Sequence, residues 1–248
     1  MANEREPSRL EAISTRWTLL RAAHDGSSGA AVAARNALVL RYLPAIRRYV
    51  GAILRNDHEA DDVAQDVLVR LLSGDFAAAD PERGRFRDFL KVAIRNMTLN
   101  HCNKRKRQRA ADYDVVNLPS GDECDERCWL EQWRDSVLDL VWKALEQQER
   151  TQRGNVAYTL LRLRTEFRDD SSEQLASRLS DKLGQPIRAD ACRQKLRRAR
   201  LQFADLLIAE VAKGLRDPTA EKIEEELVAL QLMDMVRNLL PEDWQTTA

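Results

Sequence analysis

The chain has 248 residues, with 44% hydrophobic and 32% charged side chains, and its 40 basic and 40 acidic residues cancel to a formal charge of zero. Only 6% of residues are aromatic, and nine glycines and seven prolines are few for this length, which argues against a sandwich, a barrel or a glycine-looped α/β enzyme and favours helices. The start is polar and no run approaches the roughly 18–20 apolar residues that a bilayer needs, so a soluble, cytoplasmic protein is expected.

In chain order, helical spacing of apolar residues predicts helices over 14–24 and 31–55, separated by a Gly26–Gly29 loop. A third helix is expected over 57–72, with Asp57 and Glu59 in its first turn suiting the positive end of the helix dipole. A loop from Gly74 to Gly84 precedes a long helix from Phe86 to about Arg107. Residues 110–124 lose periodicity and read as a linker, and helical spacing resumes over 126–150 through Trp129, Trp133 and Val137. A short helix over 154–167 follows. Ser171 with Gln174 is the pattern of a capping box opening the next helix, which stops at Gly184-Gln185-Pro186. A basic helix runs from about Ala189 to Gly214, and residues 219–239 are expected to form one more amphipathic helix.

The neutral total hides an uneven distribution. Residues 101–110 carry five positive charges and no acid, and residues 188–200 carry six against Asp190. Residues 111–150 hold eleven acids against four bases, and residues 214–248 eight against three. Two separated basic patches on an otherwise acidic chain point to two polyanion contacts.

The capped helix, tight turn and Arg-rich second helix form a helix-turn-helix pattern. Cys192, Leu196, Ala199 and Phe203 mark a buried stripe on that second helix, and Arg193, Gln194, Arg197 and Arg198 fall outside it. Arg pairs bidentately with guanine and Gln with adenine, and either holds phosphate. The bland alternative is a solvated face of a helical bundle. On the 86–107 helix, Arg87, Lys91 and Arg95 lie off the apolar side. Phe86, Phe89 and Asn96 add stacking and amide groups, the combination that holds single-stranded nucleic acid. The 57–72 helix is acidic, which suits a protein contact rather than DNA.

Residues 80–96, Asp-Pro-Glu-Arg-Gly-Arg-Phe-Arg-Asp-Phe-Leu-Lys-Val-Ala-Ile-Arg-Asn, with His101 and the basic tail, resemble region 2 of bacterial sigma-70-family factors, closest to the extracytoplasmic-function (ECF) group. Asp62-Val-Ala-Gln-Asp-Val-Leu-Val-Arg-Leu71 resembles that group's core-polymerase-binding helix, and Leu196-Arg-Arg-Ala-Arg200 the end of its region 4 recognition helix. Phe89 stands where the family usually has Trp, and Arg188 where a Ser or Thr cap is common.

The resemblance implies an all-α protein of two helical domains joined by a linker. A region 2-like domain is expected over 14–109, an acidic linker and helix over 110–150, a region 4-like helix-turn-helix domain over 151–213, and a helical extension over 214–248. Core RNA polymerase would meet Asp62, Gln65, Asp66 and Arg70. The melted −10 strand would meet Arg87, Phe89, Lys91, Arg95, Asn96, Asn100, Lys104 and Arg105, and the −35 duplex would meet Arg188, Arg193, Gln194, Arg197 and Arg198. An anti-sigma factor is a further candidate partner.

No nucleophile–base pair or phosphate-cradling glycine loop is evident, so no catalytic activity, cofactor or metal is expected. Cys124 and Cys128, with His101 and Cys102 upstream, make a zinc site or redox switch conceivable. Free, reduced thiols are the expectation. The competing function is a helix-turn-helix regulator that binds duplex DNA as a symmetric dimer without polymerase. Such a regulator needs neither the acidic helix nor the second basic helix.

Overall fold

A computed structural model describes residues 22–23, 29–73, 85–108, 122–215 and 217–239 of the protein, with the side chains of 106–108 and 122–125 outside that description. Among the described residues every regular element is a helix: α1 (Gly29–Leu54), α2 (Asp57–Ser73), α3 (Phe86–Gln108), α4 (Asp122–Thr151), α5 (Ala157–Glu166), α6 (Ser172–Leu183), α7 (Ala189–Ala212), α8 (Ala220–Ala229) and α9 (Met233–Val236). The all-α expectation holds. Apart from residues 22–23, the expected helix over 14–24 lies outside the described residues, as do Gly26–Ser28, the 74–84 loop, most of the linker and Leu240.

α1 and α2 form a helical hairpin whose inner faces carry Leu38, Tyr42, Ile46, Val63, Val67 and Leu71, all buried. The corner between them is turned by Arg55, which takes a left-handed φ of 51° and donates its N–H to the Gly51 carbonyl at 2.8 Å. α3 closes this bundle with Phe86, Leu90 and Ile94, all fully buried.

α4 belongs to both halves of the molecule. Its first part inserts Trp129 and Trp133 into the bundle: Trp133 stacks on Tyr42 at 5.8 Å between ring centroids, and Trp129 meets Tyr49 at 4.9 Å. Its later part carries Trp142, which packs edge-on to Tyr158 of α5 at 5.9 Å and against Phe203 of α7 at 5.3 Å. One continuous apolar core therefore runs from α1 through α4 to α7 and α8. A smaller second core joins α5, α6 and α7 through Leu160, Leu163, Leu175, Leu179 and Cys192.

Several boundaries follow local chemistry. Gly154 takes a φ of 80°, and Asn155 Oδ1 accepts from the Ala157 N–H at 2.9 Å, so α5 starts at Ala157 rather than at 154. The capping box at α6 forms as the sequence predicts: Ser171 Oγ accepts from the Gln174 N–H at 3.3 Å, and Gln174 Oε1 from the Ser171 N–H at 2.7 Å. Gly184 ends α6 in the left-handed conformation at φ 65°.

The single helix expected over 219–239 is broken. α8 stops at Ala229, and Gln231 adopts a left-handed φ of 56°. The Leu232 N–H donates to the Leu227 carbonyl at 2.8 Å and the Gln231 N–H to the Val228 carbonyl at 2.9 Å, which is the Schellman arrangement. Leu227 and Leu232 are both buried, supplying the apolar contact that accompanies that motif. The periodicity of Leu230 and Met233 concealed the break because both side chains still pack inward or partly inward.

Since Gln231 holds a conformation that glycine adopts without steric cost, Gln231→Gly is expected to stabilise the protein by about 1 kcal/mol. Chemical denaturation of the two chains, compared at constant slope, checks this.

Candidate nucleic-acid interface

The helix-turn-helix face is presented as the sequence predicts. Burial of Cys192, Ala199 and Phe203 turns Arg193, Gln194, Arg197 and Arg198 outward together on α7, all four exposed. Arg188 is the N-cap of α7; it is exposed and makes no side-chain capping bond. Arg193 pairs with Asp190 one turn away and lies 4.0 Å from Glu173 at the start of α6. The Glu173 carboxyl is held below its ordinary value chiefly by its own backbone N–H, then by the Ser171 hydroxyl. Behind this face, burial pushes the Cys192 thiol up, away from thiolate chemistry at neutral pH.

α2 also presents a coherent surface. Asp62, Gln65, Asp66 and Arg70 are exposed in one stripe at helical spacing, with Val69 between them 63% exposed. Their neighbours Val63, Val67 and Leu71 face the core, so the acidic stripe is fixed in direction by the hairpin packing.

α3 divides the eight side chains expected to meet the melted strand. Arg95, Asn96, Asn100 and Lys104 are exposed. Phe89 is half-buried, 6.1 Å from the Phe86 ring. The other three lie on the flank of the helix next to the core and are matched by carboxylates from three different elements. Arg87 Nε donates to Glu226 Oε1 of α8 at 2.7 Å, Lys91 pairs with Glu126 of α4, and Arg105 pairs with Glu59 of α2. His101 Nε2 also lies 3.6 Å from Glu59. Thus Arg87 is 5% exposed and is not presented at the surface with Arg95 and Asn96.

Residues 38–108 match the family model described as Sigma-70 region 2. That match supports a sigma-70 family RNA polymerase sigma factor. The matched region 2 segment runs from the middle of α1 to the end of α3, so it contains both the acidic α2 stripe and the exposed amides of α3. A region 2 segment supports binding to core RNA polymerase and promoter DNA. No curated protein and no solved structure matches the chain.

Among the described residues no group of three or more His, Cys, Asp or Glu is placed to hold a metal ion. Cys102 and Cys192 are buried and Cys128 is half-buried, and the Cys124 side chain lies outside the described residues. No described helix is long and apolar enough to cross a membrane.

Sequence reasoning missed Arg85, Glu210 and Glu226. A signal for the last two was available. Glu226 falls at i+3 from Ile223 and i−4 from Leu230, inside the apolar stripe of α8, and Glu210 sits likewise between Leu207 and Val211 on α7. A carboxylate at a core position needs a cation. Arg41 and Lys213 serve Glu210 at 3.0 and 3.1 Å, as Arg87 serves Glu226.

Removing one partner of a buried pair leaves the other charge desolvated. Arg87→Ala should therefore destabilise the fold by about 3 kcal/mol, whereas Asp62→Ala on the exposed stripe should stay within about 0.5 kcal/mol. Thermal unfolding of the two variants beside the parent chain measures both.

Proposed function

We propose that this chain is a transcription initiation factor of the ECF type. It binds core RNA polymerase through Asp62, Gln65, Asp66 and Arg70 and directs it to promoters. Residues 14–109 form its polymerase-binding and −10-reading domain, and residues 151–213 its −35-reading domain. Residues 110–150 connect them and residues 214–248 form an extension. The single observation that carries this reading is the region 2 match followed, on the same chain, by a capped helix-turn-helix with a solvent-facing Arg/Gln row. Neither feature alone demands a polymerase partner.

Each face has chemistry suited to its task. The α2 stripe is acidic and would repel DNA, which favours a basic protein surface. On α3, Asn96 and Asn100 each offer one acceptor and two donors, enough to read the edge of an unpaired base. Arg95 and Lys104 supply the cationic surround that draws a phosphate backbone close. On α7, Arg193, Arg197, Arg198 and Gln194 have the reach and donor geometry for the major groove, with Arg188 at the helix start for phosphate. The factor performs no bond chemistry itself; the polymerase makes the RNA.

Run-off transcription with purified core polymerase, with and without the protein, tests the proposal. Promoter-directed transcripts that depend on the protein support it. Tight duplex binding with no effect on polymerase would favour a conventional helix-turn-helix regulator instead.

Two variants resolve the individual faces. Reversing charge at both Asp62 and Asp66 to Lys should weaken core association by roughly 2–5 kcal/mol while preserving the fold; unimpaired pull-down of core would remove α2 from the interface. Asn96→Ala should lose about 1–3 kcal/mol of discrimination at one −10 position. Binding of holoenzyme to single-stranded −10 oligonucleotides reads this directly, and an equal loss for all four bases at every position would mean that Asn96 does not read sequence.

A further inference from the structure

The contact between the C-terminal extension and the start of α3 has the chemistry of an occupied anion site. Glu226 is 6% exposed and receives Arg87 Nε at 2.7 Å, while Arg85 Nη1 lies 3.1 Å from its other oxygen, Oε2. Arg85 Nη2 lies a further 3.4 Å from Glu225 Oε2, and Arg87 Nη1 is 3.4 Å from Asp88 Oδ1. Two guanidinium groups thus converge on one carboxylate beside the first turn of a 23-residue helix, whose dipole adds positive potential at that end. Glu226 Oε2 is buried without an aligned hydrogen bond, so the site satisfies the carboxylate incompletely.

We propose that Arg85 and Arg87 form a phosphate site at the start of α3, and that Glu226, assisted by Glu225, fills it as an internal stand-in for a DNA phosphodiester. The cations lie within residues 38–108, the region 2 segment, whereas the acids lie on α8 outside it. Guanidinium forks accept carboxylate and phosphate in the same planar geometry, so one anion can replace the other without stranding a buried cation. Apolar packing offers no such exchange. Burial of Ile223 and Leu227 holds α8 in place and makes the closed arrangement the major population. DNA reaches Arg85 and Arg87 when Glu226 withdraws. The identification of the anion as promoter DNA rests on the function proposed above, but the paired-guanidinium site does not.

The test uses the full chain and a short fluorescein-labelled single-stranded DNA, read by fluorescence anisotropy. With the open arrangement populated about one time in ten, Glu225→Gln with Glu226→Gln should bind the oligonucleotide about tenfold tighter than the parent. Adding Arg87→Met in that background should abolish the gain. No gain, or a gain that survives Arg87→Met, overturns the proposal. Thermal melting establishes that each variant is folded.

The unaltered chain gives a second reading that needs no substitution. Amides of α8 should exchange hydrogen faster when the oligonucleotide is bound, and unchanged protection at saturation also overturns the proposal. Run-off transcription by the parent separates the two ideas. Glu226-gated binding without promoter-directed transcription keeps the anion site and discards the initiation-factor reading. Normal transcription with no gating does the reverse.

Discussion

The aromatic side chains of α4 are the constraint on which the rest of the arrangement depends. Trp129 and Trp133, 5.4 Å apart, reach into the α1–α3 bundle, and Trp142 on the same helix reaches the α5–α7 unit. Each large ring removes roughly 150–250 Å² from water, and tilted or offset contacts between rings add to that. Because one helix carries all three, the orientation of the helix-turn-helix relative to the bundle follows from the rigidity of α4. The Arg178 guanidinium over the Phe167 ring, 3.5 Å from its centroid, ties α6 to the end of α5 in the same manner.

Charge then decides which cations are left to face solvent. Along α3 the core-side flank is met by carboxylates from α2, α4 and α8, so Arg105, Lys91 and Arg87 are neutralised internally. The outward arc keeps Arg95, Asn96, Asn100 and Lys104 at the surface. The buried members of this set favour one packing of α8, since a carboxylate inside an apolar stripe is stabilised where it meets its cation. The exposed members contribute little to stability.

The Arg-rich helix α7 shows the same division by different means. α7 is anchored at two levels, by Cys192 in the small helix-turn-helix core and by Phe203, Leu207 and Val211 in the main core. Its Arg-rich segment lies on the first half, where the opposite side is held by α5 and α6. A short tight turn closed by Gly184 sets the start: the Ile187 N–H donates to Ser180 Oγ at 2.8 Å and the Gln185 N–H to the Ser180 carbonyl at 3.2 Å. The basic row is thereby presented on a fixed support.

Periodicity and turn chemistry made the helices legible in the sequence, because helix formation and capping depend on residues three or four apart. The Ser171–Gln174 capping box, the Gly184 stop and the outward positions of Arg193, Gln194, Arg197 and Arg198 are all of this local kind. So is the α2 stripe of Asp62, Gln65, Asp66 and Arg70, since the apolar side of the helix defines the other. The break at Gln231 was not legible, because the backbone bonds that close it need no particular side chain. Nor was the fate of Arg87. Whether a cation on a helix flank meets DNA, solvent or a carboxylate depends on which distant segment folds over it, and Glu226 lies 139 residues away along the chain. Short-range spacing determined which residues share a face, and only the tertiary structure decided which faces are covered, because burial is a property of the whole packed chain.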